Sequence, residues 1–91
     1  MKDKRLIPSR IVLYHIELFL DELKKKQITP FHINNSIEGS VIIEFRYNNK
    51  YFILDYDNEG EIAFLIRNSE NKRWTYDLNE NNFISFIMEN L

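Results

Sequence analysis

Hydrophobic and polar residues alternate along three consecutive stretches in the middle of the chain, residues 41–47, 50–56 and 61–67. Alternation with a period of two is typical of β-strands that bury one face. Asn48-Asn49 predicts a two-residue hairpin turn between the first two stretches, because asparagine tolerates the left-handed backbone region. The segment Asp57 to Gly60 predicts a three-residue loop before the third. We therefore predict an antiparallel meander.

The two predicted turns select the same hydrophobic face. They place Val41 opposite Tyr56, Ile43 opposite Leu54 and Phe45 opposite Phe52, and they place Ile62, Phe64 and Ile66 opposite Tyr56, Leu54 and Phe52. A shift of one residue would turn Glu44, Arg46 and Asp55 toward the core. The register is therefore strongly specified.

The segments on either side of the meander predict helices and shorter strands. Ser9 is an N-cap for a helix from Arg10 to about Lys26, which Thr29-Pro30 ends. Pro30 to Ile33 predicts a short edge segment, followed by a polar loop at Asn34-Asn35-Ser36. After the meander, Arg73 to Asp77 predicts a further strand. A final helix has Asp77 or Asn79 as its cap and the apolar stripe Phe83, Ile84, Ile87, Met88 and Leu91.

This order of elements predicts the fold class. We expect an α+β, two-layer sandwich in which an antiparallel meander of four strands, or five with the edge segment, carries the N- and C-terminal helices on one face. The chain is predicted to be a single domain over residues 1–91, with residues 1–7 as a flexible arm.

Composition and charge narrow the function classes. Twelve basic and 14 acidic residues give a net charge of −2, which argues against nucleic acid as a partner. The chain has no cysteine and therefore no disulfide framework. No apolar run reaches the roughly 18 residues of a membrane span, and the N-terminus does not resemble a signal peptide. These features predict a cytoplasmic protein without a membrane partner.

Catalytic and metal-binding motifs are not found. The segment Asp55 to Gly60 matches the first half of a calcium-binding EF-hand loop, but Ile66 stands where the motif needs a glutamate. His15 and His32 have no spacing that suggests shared ligation, and no serine lies in a nucleophile elbow. We therefore predict no enzyme activity, no catalytic, cofactor or metal site, and no small-molecule substrate.

Two surfaces remain as candidate protein-binding sites. On the first helix, Val12, Ile16, Phe19, Leu20 and Leu23 share the arc expected to face the sheet, whereas Ile11, Tyr14 and Leu18 lie on the other side. Either the terminal helix or the N-terminal arm covers this second stripe, or it contacts a partner or a second copy. The outer sheet face carries the apolar and charged candidates Ile42, Tyr51, Ile53, Leu65 and Arg67. It is either a solvated face or a binding surface.

The segment Glu38-Gly39-Ser40-Val41-Ile42-Ile43-Glu44-Phe45, with Tyr51-Phe52-Ile53-Leu54 and Asp57-Asn58-Glu59-Gly60-Glu61-Ile62, resembles small uncharacterised bacterial and phage proteins with a helix, meander, helix layout. The resemblance implies a scaffold and, from the usual setting of such proteins, an antitoxin, immunity or regulatory role. We therefore expect a non-enzymatic protein that binds a protein partner or forms a homodimer. The alternative is a nucleic-acid-associated regulator that uses the lysine clusters at Lys2, Lys4 and Arg5 and at Lys24 to Lys26.

Overall fold

A computed structural model describes residues 8–36 and 38–91. These residues form two helices and five strands, in the order α1 (Arg10–Lys25), β1 (His32–Asn35), β2 (Val41–Tyr47), β3 (Lys50–Tyr56), β4 (Ile62–Arg67), β5 (Arg73–Leu78) and α2 (Phe83–Glu89). The strands form one antiparallel sheet in the order β1-β2-β3-β4-β5. The predicted α+β class and the meander are confirmed, with the edge segment as the fifth strand.

The predicted register of the meander is confirmed at every pair. Phe45 lies opposite Phe52, and Leu54 lies opposite Phe64. Asn48 and Asn49 have φ values of 54° and 61°, as a primed two-residue turn requires. These left-handed residues match the twist of the two strands and so fix which side chains face each other.

The loops that follow β3 and β4 have the same construction. In the first, the Asp57 N–H donates to the carbonyl of Glu61 at 2.9 Å, and the Asp57 carboxylate accepts the N–H groups of Glu59 and Glu61. In the second, Asn68 makes the same three contacts around its own loop, with Lys72 in the place of Glu61. An aspartate or asparagine at the first position of the loop therefore fixes both returns of the sheet.

Both helices pack on the inner face of the sheet, as predicted. The face is formed by alternate strand residues that are fully buried, among them Ile43, Phe45, Phe52, Leu54, Tyr56 and Phe64. Phe19 of α1 contacts Phe45 at a ring separation of 6.1 Å and Phe83 of α2 at 6.0 Å. The core thus joins both helices to the sheet, and neither helix covers the opposite face of the sheet.

Most of the predicted local features of α1 are also confirmed. The Ser9 hydroxyl caps the helix by accepting the N–H of Val12 at 3.3 Å. The predicted inner arc is buried, with Leu20 partly buried against the core. The predicted arm at residues 1–7 lies outside the described residues, and the single-domain boundary stays a prediction.

Two local predictions are wrong. Asn34 and Asn35 do not begin a loop, because they continue β1 and pair with Ile42 and Val41. Asp77 does not cap α2, because it belongs to β5. Instead, the Asn79 side chain accepts the N–H groups of Asn81 and Asn82 in a turn that comes before the helix. Within the described ranges, no helix is long and apolar enough to cross a membrane.

Candidate functional site

One row of residues crosses the outer sheet face at the end near the β2–β3 turn. The strand pairing places Arg46 beside Tyr51, Tyr51 beside Arg67, and Arg67 beside Arg73. All four side chains lie on the outer face, because the alternate positions Phe45, Phe52, Ile66 and Trp74 share the inner one. We call these four residues the arginine row. It places three cationic side chains from three strands in one line, and two of them, Arg46 and Arg67, lie next to the same phenol.

Aromatic rings hold two of these arginines. Phe31, just before β1, stacks on Tyr51 with ring centroids 5.8 Å apart and an interplanar angle of 23°. The Arg46 guanidinium lies 5.5 Å from the Phe31 ring and 5.9 Å from the Tyr51 ring, and that of Arg67 lies 4.6 Å from Tyr51. A guanidinium stacked on a ring keeps its N–H edge free to donate to an anion. The stacking therefore orients both arginines without neutralising them.

Glu44 lies at a neighbouring position on β2 and anchors the group formed by the arginine row, Phe31 and His32. With Glu44, we call this group the cluster. The Tyr51 hydroxyl donates to one carboxylate oxygen of Glu44, and Nδ1 of His32 lies 3.2 Å from the other. Burial, together with the hydrogen bond to Glu44, raises the pKa of Tyr51 above its usual value. The phenol is protonated at physiological pH, as an ordinary tyrosine is, and its hydroxyl serves as the donor to Glu44.

The arginine row opens onto a shallow depression between two turns. Its lining combines three of the four residues of the row with the β2–β3 turn and the start of the β4–β5 loop: Arg46, Tyr47, Asn48, Asn49, Lys50, Tyr51, Arg67, Asn68 and Ser69. Guanidinium groups bind phosphate through paired N–H donors, and amide and hydroxyl groups add neutral donors. The depression is suited to an anionic ligand that also carries an aromatic group.

The other end of the outer face has the opposite charge. A second depression there is lined by Glu38, Asp55, Asp57, Glu61 and Asp77, among other residues. Burial and the neighbouring carboxylate of Asp57 raise the pKa of Asp55. Among the residues that the structure describes, no group of three or more histidine, aspartate or glutamate side chains is arranged to hold a metal ion. Apart from Glu44, which is bonded to Tyr51, the outer face is therefore polarised, with cations at one end and carboxylates at the other.

The structure separates the eight predicted site residues into two places. Ile42, Tyr51, Ile53, Leu65 and Arg67 are half-buried on the outer face. Ile11, Tyr14 and Leu18 are exposed on α1, on the side away from the sheet. Nothing observed tests them as a contact surface, and that assignment stays a prediction. Of the eight, only Tyr51 and Arg67 belong to the cluster described above.

The cluster contains residues that were not singled out from the sequence. Arg46 and Arg73 could have been found by extending the predicted register across β5, which places them in line with Tyr51 and Arg67. Phe31 and His32 gave no such signal. Their positions depend on how the edge strand β1 joins β2, where the Phe31 N–H donates to the carbonyl of Glu44 at 3.1 Å.

The lysine cluster of α1 is separate from this site. Lys24 and Lys25 are exposed in the last turn and Lys26 is the exposed C-cap residue, where their charges complement the negative end of the helix dipole. Lys25 also forms an ion pair with Glu22 at 2.7 Å. The cluster at Lys2, Lys4 and Arg5 lies outside the described residues.

The fold and this surface define a class: an α+β meander whose open sheet face presents arginines and stacked aromatic rings. The chain is 33% identical, over 92 residues, to the probable RNA 2′-phosphotransferase of Fusobacterium nucleatum. The match covers 91% of this chain and 51% of that protein, so that the chain spans about half the length of the relative. No known protein family matches the chain, and no solved structure matches it either.

The likeness corrects three predictions. By its name the relative is an enzyme, which contradicts the predicted non-enzymatic role in binding a protein partner or a second copy. It is also named for acting on RNA, which contradicts the arguments against nucleic acid and against a substrate. The prediction against nucleic acid rested on net charge, and a total of −2 conceals an outer face on which the cations are gathered at one end. The predictions against an enzyme and a substrate rested on the lack of a recognised catalytic motif. The cytoplasmic location stays a prediction.

Proposed function

We propose that this chain functions as part of an RNA-processing enzyme of the 2′-phosphotransferase type and that its arginine row binds RNA phosphate. The observation that carries the proposal is the row itself, in which Arg46 and Arg67 are held over aromatic rings. The likeness to a protein named as a probable RNA 2′-phosphotransferase is the reason for proposing RNA as the substrate. Arginine is well suited to this role because its planar fork matches a phosphate group.

The local field, and not the total charge, decides whether such a surface attracts RNA. Adjacent strands are roughly 4.8 Å apart, so that the arginine row spans about 14 Å from β2 to β5. Three guanidinium groups over this distance outnumber the one carboxylate beside them, Glu44, and create a local positive potential, which the carboxylates at the far end of the face do not cancel at close range. An anionic ligand is thus directed to one end of the face.

The lysines at the end of α1 are the competing site for RNA. They differ from the arginine row because they stabilise the helix terminus and because Lys25 is already paired with Glu22. If the lysines bound the phosphate, no aromatic group would be needed. RNA affinity would then fall when the lysines, and not the arginines, are substituted. The two sites can therefore be separated by matched substitutions that remove the same charge.

The experiment measures binding of a fluorescent single-stranded RNA that carries an internal 2′-phosphate, at several salt concentrations. We expect the Arg46→Ala/Arg67→Ala variant to bind more weakly than the wild type, with a slope of log affinity against log salt that is shallower by about 1.4, because each lost phosphate contact removes about 0.7. The matched control Lys24→Ala/Lys25→Ala loses the same charge and should keep both affinity and slope. Circular dichroism establishes that each variant is folded.

Two further comparisons sharpen the test. An Arg46→Lys/Arg67→Lys variant keeps the charge and should recover most of the salt slope, but less of the affinity, because the paired donors are lost. The wild type should bind the 2′-phosphorylated RNA more tightly than the same RNA without that phosphate. Equal losses in the arginine and lysine variants, or no measurable RNA binding by the wild type, would overturn the proposal.

A further inference from the structure

Phe31 is an exposed aromatic residue of the cluster. The residue is 55% exposed, although its ring stacks on Tyr51. We infer that the surface takes an unpaired nucleotide of RNA and that its base stacks on the exposed part of the Phe31 ring. This inference rests on the proposed function and specifies its substrate as single-stranded RNA.

The arrangement leaves Phe31 as the stacking platform and excludes Tyr51. Tyr51 has Phe31 on the side of β2 and the Arg67 guanidinium on the side of β4, 4.6 Å from its ring centroid. Tyr51 is also half-buried, whereas Phe31 is 55% exposed. Arg46 lies over both rings, 5.5 Å from the centroid of Phe31, and can hold the phosphate of the nucleotide whose base contacts the exposed part of Phe31.

The charges of the outer face also set the direction of the RNA. A backbone that ran along the strands from the arginine row would reach Asp55 and Asp77, which lie four residues along β3 and β5 from Tyr51 and Arg73, after about 13 Å. A backbone that crosses the strands stays on the arginines from Arg46 to Arg73. The RNA therefore crosses the strands, from Phe31 at one edge of the sheet toward β5.

Duplex RNA does not satisfy this geometry. Its bases are stacked on each other inside the helix, so that none can lie against a protein side chain without being unpaired. Single-stranded RNA exposes the flat face of each base, and stacking on an aromatic side chain is largely independent of base identity. The surface should consequently discriminate by strandedness and only weakly by sequence.

The test compares single-stranded RNA with a duplex of the same length, using the wild type, Phe31→Leu and Phe31→Trp. We expect the wild type to prefer the single strand, and Phe31→Leu to lose roughly 5- to 100-fold in affinity for it with an unchanged salt slope. Phe31→Trp should retain binding because it retains stacking. The matched control is Trp74→Leu, which removes another exposed aromatic ring, 43% exposed, that shares a row with Ile66 of the inner face.

Fluorescence gives a direct reading of the stacking. The chain has one tryptophan, so the double variant Phe31→Trp/Trp74→Phe carries its only indole at the proposed platform. Quenching of this indole by single-stranded RNA supports base stacking. RNA binding that depends on the arginines but is equal for single strand and duplex, and is unchanged in Phe31→Leu, overturns this inference while leaving the proposed function intact. Loss of the arginine dependence overturns the proposed function instead.

Discussion

At the scale of single residues, a side chain's neighbours on adjacent strands determine its chemistry. The pairing of Tyr51 with Arg67 could be predicted, because two turns fix the register of β2, β3 and β4. The stack of Phe31 on Tyr51 could not, because Phe31 precedes its strand and its position depends on tertiary packing at the edge of the sheet. The anchoring role of Glu44 likewise needs three strands at once.

A substitution of Asp55 tests whether an ionised carboxylate at the acidic end of the outer face lowers the stability of the protein. Because burial and Asp57 raise its pKa in the folded protein, its contribution to stability is complete below the unfolded pKa of 3.8 and is lost as pH rises through the higher folded value. Ionised Asp55 is therefore unfavourable at neutral pH. We expect Asp55→Asn to raise the melting temperature at pH 7.

The measurement is thermal unfolding of the wild type and Asp55→Asn between pH 3 and pH 7, a range chosen to span the unfolded pKa of 3.8. The difference between them should shrink toward the acidic end of the range, since both side chains are then neutral. Asp77→Asn is the matched control, because it removes the same charge at an exposed position of the same face. A constant difference across the pH range would show that ionisation of Asp55 is not the cause.

At the scale of elements, turn chemistry explains what could be predicted and what could not. The meander follows from alternation and from turns whose residues accept positive φ values. The extent of β1 was missed because asparagine has a low intrinsic preference for strands, and here pairing with β2 overrides it. The start of α2 was missed because Asn79 first closes a turn of its own.

Substitutions of Asn49 test whether the primed turn between β2 and β3 requires a left-handed residue. Asn49 has a φ of 61°, a value that glycine adopts freely and that a β-branched residue strongly disfavours. We expect Asn49→Val to be less stable than Asn49→Gly by about 1–2 kcal/mol. Urea unfolding measures the difference. Equal stability of the two variants would mean that the turn does not need a left-handed residue at this position.

At the scale of the whole molecule, charge is separated along one face of the sheet. The inner face is covered by both helices, and the outer face has arginines near the β2–β3 turn and carboxylates near the loop that follows β3. The net charge of −2 averages over this separation, which is why it misdirected the prediction about nucleic acid. The register already contained the information, because it places Arg46, Arg67 and Arg73 in one row.

Mapping the RNA contact on the folded protein tests the central claim most directly. The measurement is the change in backbone amide NMR signals when single-stranded RNA carrying a 2′-phosphate is added to the ¹⁵N-labelled chain. We predict that the changes concentrate at Phe31 and along the arginine row, with little change at Lys24 to Lys26 or at Asp77. Changes centred on the end of α1, or on the acidic end of the outer face, would contradict the assignment of RNA binding to the arginine row.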